Sequence, residues 1–440
     1  MTSKYRPWVF VLAAVMAACA PQAIAPSATP SAPTASPSPV RPSDAPGLPA
    51  AIPAKVTADR RWYTVPNGLD NAPVKVTATF DADATNGAPF VNVDGSPDIP
   101  LVRTGGFWST TVPLDGLTPG EHTISLYERL AGSPRVLQRV AGTTFLLSQP
   151  EYVVWTLDFE GDASGDAELA NTAAVADGLK IPMAVFWNPR VWTTTQVSPE
   201  RQAAMLKWTM DRRAKGDEVA LHLHMWTDYV RAAGIAPLTA PSWAGRGDGY
   251  DVPINAYPEG AQQTLITYGV QLMLDHGFAK PTSFRAGGDM ADAATLRAAA
   301  STGFDLDCTA VAKDYPSIGR IPYPWNLPVG AQPYYPDPNN ANVPGSLPLL
   351  EAPTIGGNTY AFTVNSIQPQ IRANLALFAP AGTVATLRKT ITVVSHPGTI
   401  VPAERAAIEA LLGAFDALRY DKDAGPVRFV TAAQLAKAYR

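Results

Sequence analysis

Several side chains that could do chemistry follow short apolar segments of this 440-residue chain. They are Asp158, Glu160 and Asp162 in TLDFEGD, His222 and His224 in LHLH, Arg285 in FRAGG, and His396 in VVSHPG. In an extended chain residues i and i+2 face the same side, so Asp158 can point with Glu160 and His222 with His224. Imidazole nitrogen and carboxylate oxygen together form the ligand set of a catalytic Zn²⁺ or a similar divalent ion, with open positions for water and substrate.

The elements that must position these side chains begin at residue 151. Compact apolar segments occupy residues 152–157, 182–187, 218–222 and 391–396, and helical patterns separate them. This alternation predicts parallel strands covered by helices, and its repetition favours a (β/α) barrel, complete or incomplete. In such barrels chemistry gathers at the carboxyl ends of the strands, where the side chains above fall.

Helices and loops complete this part of the chain. Helices are predicted at residues 166–179, 198–216, 259–276, 293–301, 367–378, 403–418 and 432–440. Two long stretches, 226–258 and 313–348, have an irregular pattern and are expected to be loops over the carboxyl edge of the barrel. Their aromatic side chains could stack on sugar rings or simply pack the loops: Trp243, Tyr250, Tyr315, Tyr323, Trp325, Tyr334 and Tyr335.

These motifs, in this order, resemble the polysaccharide deacetylase superfamily, which comprises carbohydrate esterase family 4 and its relatives. The resemblance covers about residues 151–440 and implies an α/β fold built on a distorted (β/α) barrel. It also implies a divalent metal, zinc or alternatively cobalt, nickel or manganese, held by one acidic residue and two histidines. The family further uses an aspartate base, an arginine that orients it and a late histidine acid.

Carried over to this chain, the resemblance makes Asp158 the base. Phe159 stands where the family's motif has a second aspartate, so the acidic ligand is expected to be Glu160 or, as the second choice, Asp162. Asp162 could instead cap the helix that follows it.

The metal-binding histidines are expected to be His222, which matches the first histidine of the family's motif, and His224. Trp226 stands where the second histidine usually occurs, and His224 is the expected substitute. Arg285 matches the orienting arginine and His396 the late acid. Alternatively, Arg285 could simply neutralise an acid in a structural pair.

The acid expected to pair with Arg285 is Asp305 or Asp307, both in the segment GFDLD.

The resemblance then implies metal-assisted hydrolysis of N-acetyl or O-acetyl groups on an envelope or extracellular polysaccharide. Asp158 would take a proton from water and His396 would protonate the departing amine or alcohol. The rival is a glycan-binding envelope lipoprotein without catalysis. A nucleophilic serine hydrolase is disfavoured because the sequence contains no Gly-x-Ser-x-Gly motif.

Residues 53–148 have a different pattern, with short alternating segments at 74–80, 107–112 and 122–127 between Asn, Gly, Asp and Pro turns. This pattern predicts an all-β domain. The segment LTPGEHTISL resembles the turn-into-strand of immunoglobulin-like sandwiches. A small sandwich is therefore expected before the catalytic domain at 149–440, as a spacer or a glycan-binding module.

The amino terminus predicts export. A basic start and a short apolar run make residues 1–18 a signal peptide, and MAAC resembles the lipobox in which Cys19 is acylated. Residues 19–52 are rich in Pro, Ala, Ser and Thr and predict an extended tether. The expectation is an exported protein, anchored by lipid in the bacterial cell envelope and facing the periplasm or the surface. An ordinary secretory signal with an incidental Cys19 is the alternative.

The overall composition excludes some classes of partner. The net charge is −4 with a pI near 5.8, so no basic surface for nucleic acid is indicated. Only two cysteines occur, Cys19 and Cys308, so a mature lipoprotein would have no internal disulfide. The polysaccharide and the membrane reached through Cys19 are the expected partners.

Overall fold

The computed structural model describes residues 52–81, 88–130, 133–242, 245, 250, 252–315 and 321–440. The predicted signal peptide, the acylated Cys19 and all but the last residue of the predicted tether lie outside these residues, as does Trp243. Those assignments stay predictions.

The described residues of the first folded part form nine strands. They are β1 (Ala54–Ala58), β2 (Trp62–Thr64), β3 (Val74–Phe80), β4 (Phe90–Val93), β5 (Ile99–Pro100), β6 (Val102–Thr104), β7 (Phe107–Val112), β8 (Gly120–Leu130) and β9 (Ser133–Ser148). A four-stranded sheet has the order β1-β3-β7-β6, and a five-stranded sheet has the order β2-β9-β8-β4-β5. Alternate residues Val74, Val76 and Ala78 of β3 are buried in a core that both sheets share. The all-β prediction is confirmed, and the immunoglobulin-like assignment stays a prediction.

In the second part, the described residues form ten strands and eight α-helices. The strands are β10 (Glu151–Asp158), β11 (Ala184–Trp187), β12 (Glu218–Leu223), β13 (Ser283–Ala286), β14 (Leu306–Asp307), β15 (Pro336–Asp337), β16 (Asn340–Pro344), β17 (Leu350–Glu351), β18 (Lys389–Ser395) and β19 (Val427–Phe429). The helices are α1 (Asp166–Leu179), α2 (Pro199–Ala214), α3 (Thr227–Ala232), α4 (Glu259–Asp275), α5 (Ala293–Thr302), α6 (Gln368–Leu377), α7 (Pro402–Gly413) and α8 (Ala432–Ala438).

One curled parallel sheet organises these elements, with the order β17-β14-β13-β12-β11-β10-β18 and with β19 paired to the start of β10. Its two edges meet through residues 356–359. The amide of Gly356 donates to the carbonyl of Thr392 at 2.9 Å, and the amide of Thr359 donates to the carbonyl of Val394 at 2.9 Å. The predicted α/β class and distorted barrel are confirmed as a curled parallel sheet with this irregular closure.

The local sequence explains where the helices begin and end. Ser198 accepts a hydrogen bond from the amide of Arg201, and Pro199 opens α2, as the N-cap signal predicted. The segment ends at Gly216, whose φ of 102° lies in the left-handed region that favours glycine. Helix α1 matches its predicted bounds, but its N-cap is Gly165. The prediction that Asp162 caps this helix is therefore wrong.

The two loop stretches are more ordered than expected. The first contains the short helix α3, and the second contains the hairpin of β15 and β16, which pair antiparallel. Among the described residues, no helix is both long and apolar enough to cross a membrane.

The sandwich packs against the amino-terminal end of the barrel through polar contacts. The carboxylate of Asp423 accepts from the amide of Arg61 at 2.9 Å and from the amide of Trp62 at 2.8 Å. Nearby, the guanidinium of Arg60 lies 3.8 Å and that of Arg428 lies 3.6 Å from the ring centroid of Tyr420. These contacts lie at the opposite end of β10 from Asp158.

Candidate active site

The carboxyl ends of β10 and β12, which are separated in the sheet by β11, bring the predicted metal ligands together. Glu160 follows β10, and His222 and His224 stand at the end of β12. One potential ligand atom from each of the three lies within 4.8 Å of the other two. The rings of His222 and His224 are 5.0 Å apart and nearly perpendicular, at 85°. The acidic member is Glu160, the preferred choice, while the half-buried Asp162 is not part of this cluster.

Both histidines direct Nε2 toward the cluster. His222 Nδ1 lies 3.1 Å from the carbonyl oxygen of Arg285, and His224 Nδ1 lies 3.2 Å from that of Tyr250. A carbonyl oxygen only accepts, so each Nδ1 carries the hydrogen of its bond. Metal-binding histidines typically hold their second ring nitrogen in this way.

The donor set fits a divalent ion. His222 Nε2 is buried and has no hydrogen-bond partner among the described residues, which is costly unless another group satisfies it. Burial lowers the pKa of His222 to about 4, so its ring is neutral near pH 7, as a ligand must be. Burial opposes the ionisation of Glu160, but His224 and His396 outweigh it and hold the pKa of Glu160 well below its usual range. Two histidine nitrogens and one carboxylate are typical ligands of catalytic zinc.

Arg285 is fully buried and orients Asp158. Its Nη1 donates to Asp158 Oδ1 and to Thr156 Oγ1, both at 2.8 Å, and its Nε donates to the carbonyl of Cys308 at 2.8 Å. Its Nη2 donates to Thr354 Oγ1 at 3.2 Å. Burial alone would lower the pKa of Arg285, but the charge of Asp158 more than compensates and raises it. The guanidinium therefore stays charged and holds Asp158 from one side.

The predicted pairing of Arg285 with Asp305 or Asp307 is wrong. Asp305 pairs with Arg440, and Asp307 accepts from the amide of Thr309 at 3.0 Å and from its hydroxyl at 2.8 Å. In the parallel pairing of β13 with β14, Asp307 is the partner of Phe284, which precedes Arg285 in the chain. Because successive side chains of a strand face opposite sides, Asp307 lies across the sheet from the guanidinium.

His396 approaches Glu160 from β18. Its Nε2 lies 3.2 Å from Glu160 Oε1, and its side chain is 18% exposed. Burial disfavours the charged ring, but the contact with Glu160 outweighs this and raises the pKa of His396 to about 9. His396 is therefore protonated near neutral pH and can deliver a proton.

Two supporting residues escaped prediction by sequence. Tyr250, expected only as a loop aromatic, donates its hydroxyl to Glu160 Oε2 at 2.6 Å, and its ring stacks on His224 at 4.3 Å. A Cβ at Gly287 would lie 2.4 Å from His224 Nδ1, so only glycine fits there. The pair of glycines after Arg285 was the available signal for this close approach.

Neither a protein-family model nor a curated protein sequence matches the chain. Among solved structures it is similar to a protein from Mycobacterium smegmatis described as a polysaccharide deacetylase, at 15% identity over 66% of this chain and 89% of that chain, with a TM-score of 0.42. It is also similar to a family 4 carbohydrate esterase from Streptomyces lividans in complex with acetate, at 12% identity over 61% and 89%, with a TM-score of 0.32.

A third solved structure is a family 4 acetyl xylan esterase from Clostridium thermocellum in complex with a cobalt ion. It is 10% identical over 64% of this chain and 89% of that chain, with a TM-score of 0.33. Likeness at this level carries no inference about activity. The class of protein is therefore defined by what the chain itself contains: an α/β barrel with a His-His-Glu cluster beside an Asp-Arg pair and a charged histidine.

Proposed function

We propose that this protein is a metal-dependent hydrolase that removes acetyl groups from a polysaccharide. The observation that carries the proposal is the cluster of Glu160, His222 and His224, with the Asp158–Arg285 pair and His396 beside it at the same edge of the barrel. A cation held by the cluster would polarise the acetyl carbonyl and acidify a water molecule.

The remaining work belongs to two groups of this chain. Asp158, oriented by Arg285, accepts a proton from the attacking water. His396 holds a proton on Nε2 against Glu160 Oε1 and transfers it to the departing nitrogen or oxygen. The bond between the acetyl carbon and that atom breaks, and acetate and a free amine or hydroxyl are formed. No covalent intermediate with the protein is needed.

A rival proposal is a protein that binds glycans without catalysis. It rests on the departures from the family's motif at Phe159 and Trp226. The distinguishing measurement is acetate release from a panel of N-acetylated and O-acetylated glycans, with and without added Zn²⁺ or Co²⁺. Metal-stimulated release supports the hydrolase, and the better substrate class identifies the bond. Glycan binding without acetate release on any metal would favour the rival.

The location of the protein is a further part of the proposal: export, and anchoring in the bacterial cell envelope through acylated Cys19. The MAAC segment and the Pro-rich residues that follow it support this. We expect Cys19→Ser to move the protein from the membrane fraction to the soluble fraction, because the lipid would be lost. Fractionation followed by immunoblotting measures this, with Cys308→Ser as the matched control. Unchanged membrane association of Cys19→Ser would contradict anchoring at this residue.

A further inference from the structure

Tyr250 contacts two of the three candidate metal ligands. Its hydroxyl donates to Glu160 Oε2 at 2.6 Å, its carbonyl oxygen accepts from His224 Nδ1 at 3.2 Å, and its ring stacks on the His224 ring with centroids 4.3 Å apart and planes 14° apart. One residue of the loop over the barrel therefore constrains both the carboxylate and the imidazole. The carbonyl contact also determines which nitrogen of His224 is left for an ion.

Trp226 supports Glu160 and Tyr250 through a second set of contacts. Its Nε1 donates to the main-chain carbonyl of Glu160 at 2.9 Å, and its ring meets that of Tyr250 with centroids 4.7 Å apart. The guanidinium of Arg190 lies 3.6 Å from the centroid of the Trp226 ring and holds it in turn. Trp226 therefore supports both Glu160 and Tyr250.

We propose that Tyr250 is a positioning residue of the metal centre, which, supported by Trp226, holds Glu160 and His224 in the geometry that binds a divalent cation. The inference rests on the proposed function. It follows from the contacts because a carboxylate fixed by a hydroxyl and an imidazole fixed by a carbonyl lose less freedom when an ion binds.

The test compares Tyr250→Phe with Tyr257→Phe in the full-length protein. Tyr250→Phe removes only the hydroxyl and keeps the ring that stacks on His224. Tyr257 is the matched control because its hydroxyl, in the same loop, accepts from the amide of Leu238 at 3.0 Å and lies outside the cluster. Metal-free proteins are titrated with Co²⁺ by calorimetry, and the visible spectrum of bound Co²⁺ reports the ligand geometry. Thermal unfolding of the metal-free proteins verifies that each variant is folded.

We expect Tyr250→Phe to bind Co²⁺ about 10- to 100-fold more weakly, as is typical when a partner of a metal ligand is lost. Its Co²⁺ spectrum should change, whereas Tyr257→Phe should match the wild type in both measurements. Equal affinity and an identical spectrum for Tyr250→Phe would overturn the inference and leave the proposed function standing. Failure of the wild-type protein to bind Co²⁺ or Zn²⁺ would remove the proposed function and this inference together.

Discussion

His222 and His224, at the end of one strand, both face the carboxylate of Glu160, because residues i and i+2 of an extended chain share a face. Backbone carbonyls fix the Nδ1 atom of each ring, so both Nε2 atoms are directed before an ion binds. The third donor, Glu160, follows the carboxyl end of β10, two strands away in the same sheet. No single residue of this set would bind a cation tightly, and the affinity must come from the three together.

The first prediction concerns these donors. His222→Ala and His224→Ala should each lose stoichiometric zinc, because one of three protein ligands disappears from a site that the fold has already arranged. Elemental analysis of the purified variants measures this. His276→Ala is the control, since that ring stacks on Trp192 at 3.8 Å and lies outside the cluster. Full zinc occupancy in both ligand variants would show that the ion binds elsewhere.

The second prediction separates catalysis from metal binding. Asp158→Asn and His396→Gln should retain the ion and lose turnover by about 10²- to 10⁴-fold each, as expected for a general base and a general acid. Acetate release and metal content are measured on the same preparations. Glu409→Gln on α7 serves as a control distant from the site. Parallel loss of metal and activity in His396→Gln would instead indicate that His396 is a metal ligand. This outcome must be tested because His396 Nε2 lies 3.2 Å from Glu160 Oε1.

At the scale of single residues, the sequence predicted those site residues whose type and position at a strand end indicate their chemistry. The cluster of Glu160, His222 and His224 was expected because carboxylates and imidazoles follow apolar segments there, and the resemblance favoured Glu160 over Asp162. Tyr250 was not identified as a partner of Glu160, because the two are 90 positions apart and the loop that carries Tyr250 has no periodic pattern. The resemblance implied that Arg285 orients Asp158, and Arg285 donates to Asp158 at 2.8 Å, whereas the additional pairing with Asp307 was wrong because Asp307 occupies the other face of the sheet.

Among the secondary-structure elements, β10 connects the candidate site to the opposite end of the barrel. Its carboxyl end positions Asp158, and its first residue, Glu151, lies buried where the strand meets the segment after α6. The Oε1 atom of Glu151 accepts from the amide of Ala379 at 2.8 Å, and Oε2 has no hydrogen-bond partner among the described residues. Burial raises the pKa of Glu151 to about 7 from an ordinary value of 4.5.

The third prediction follows from that buried carboxyl. The folded protein keeps a proton on Glu151 that the unfolded chain releases above pH 4.5. The stability from this group is therefore present below pH 4.5 and is lost as the pH rises through about 7, by up to about 3 kcal/mol. Glu151→Gln should be more stable than the wild type at about pH 8. Its stability should also decline less than that of the wild type between about pH 5 and about pH 8.

Denaturant unfolding at several pH values measures this difference. The control is Glu121→Gln, which changes the same functional group on an exposed part of β8 and should follow the wild type. A pH dependence of Glu151→Gln identical to that of the wild type would mean that the carboxyl is ionised in the folded state. Catalysis is a separate readout, because Glu151 and Asp158 stand at opposite ends of β10.

Element prediction succeeded where the pattern was local. The bounds of α1, β3 and β7 match those predicted, because each of these elements is indicated by a pattern of neighbouring residues. The closure of the sheet by residues 356–359 was not predicted, since it depends on hydrogen bonds to β18, more than 30 positions later. The hairpin of β15 and β16 was also missed, because its short strands interrupt a Pro-rich stretch without an alternating pattern.

For the molecule as a whole, the sandwich and the barrel meet far from the candidate site. The strand β10 spans 8 residues from the interface side to Asp158, and at about 3.3 Å per residue the separation is roughly 25 Å. The sandwich residues at this interface therefore do not contact the candidate site.

The last prediction tests how the two parts are coupled. Asp423 accepts two main-chain amides from the sandwich, Arg61 at 2.9 Å and Trp62 at 2.8 Å, and its own φ of 54° lies in the left-handed region. Asp423→Gly removes the carboxylate while permitting that φ, so the loss is confined to the contacts between the two parts. Hydrogen bonds to a charged group contribute about 1.5–3 kcal/mol each, and partial exposure of Asp423 places the expected loss at the lower end of this range.

We expect unfolding of Asp423→Gly followed by tryptophan fluorescence and by circular dichroism to diverge, while the wild type shows one shared transition. Asp423→Asn is the matched control, because its amide oxygen can still accept and asparagine tolerates a positive φ. Turnover on a small acetylated substrate should be unchanged in both variants, since the interface and the candidate site stand at opposite ends of the barrel. A large loss of turnover in Asp423→Gly, with metal content intact, would instead mean that the sandwich holds the barrel in its active geometry across its full length.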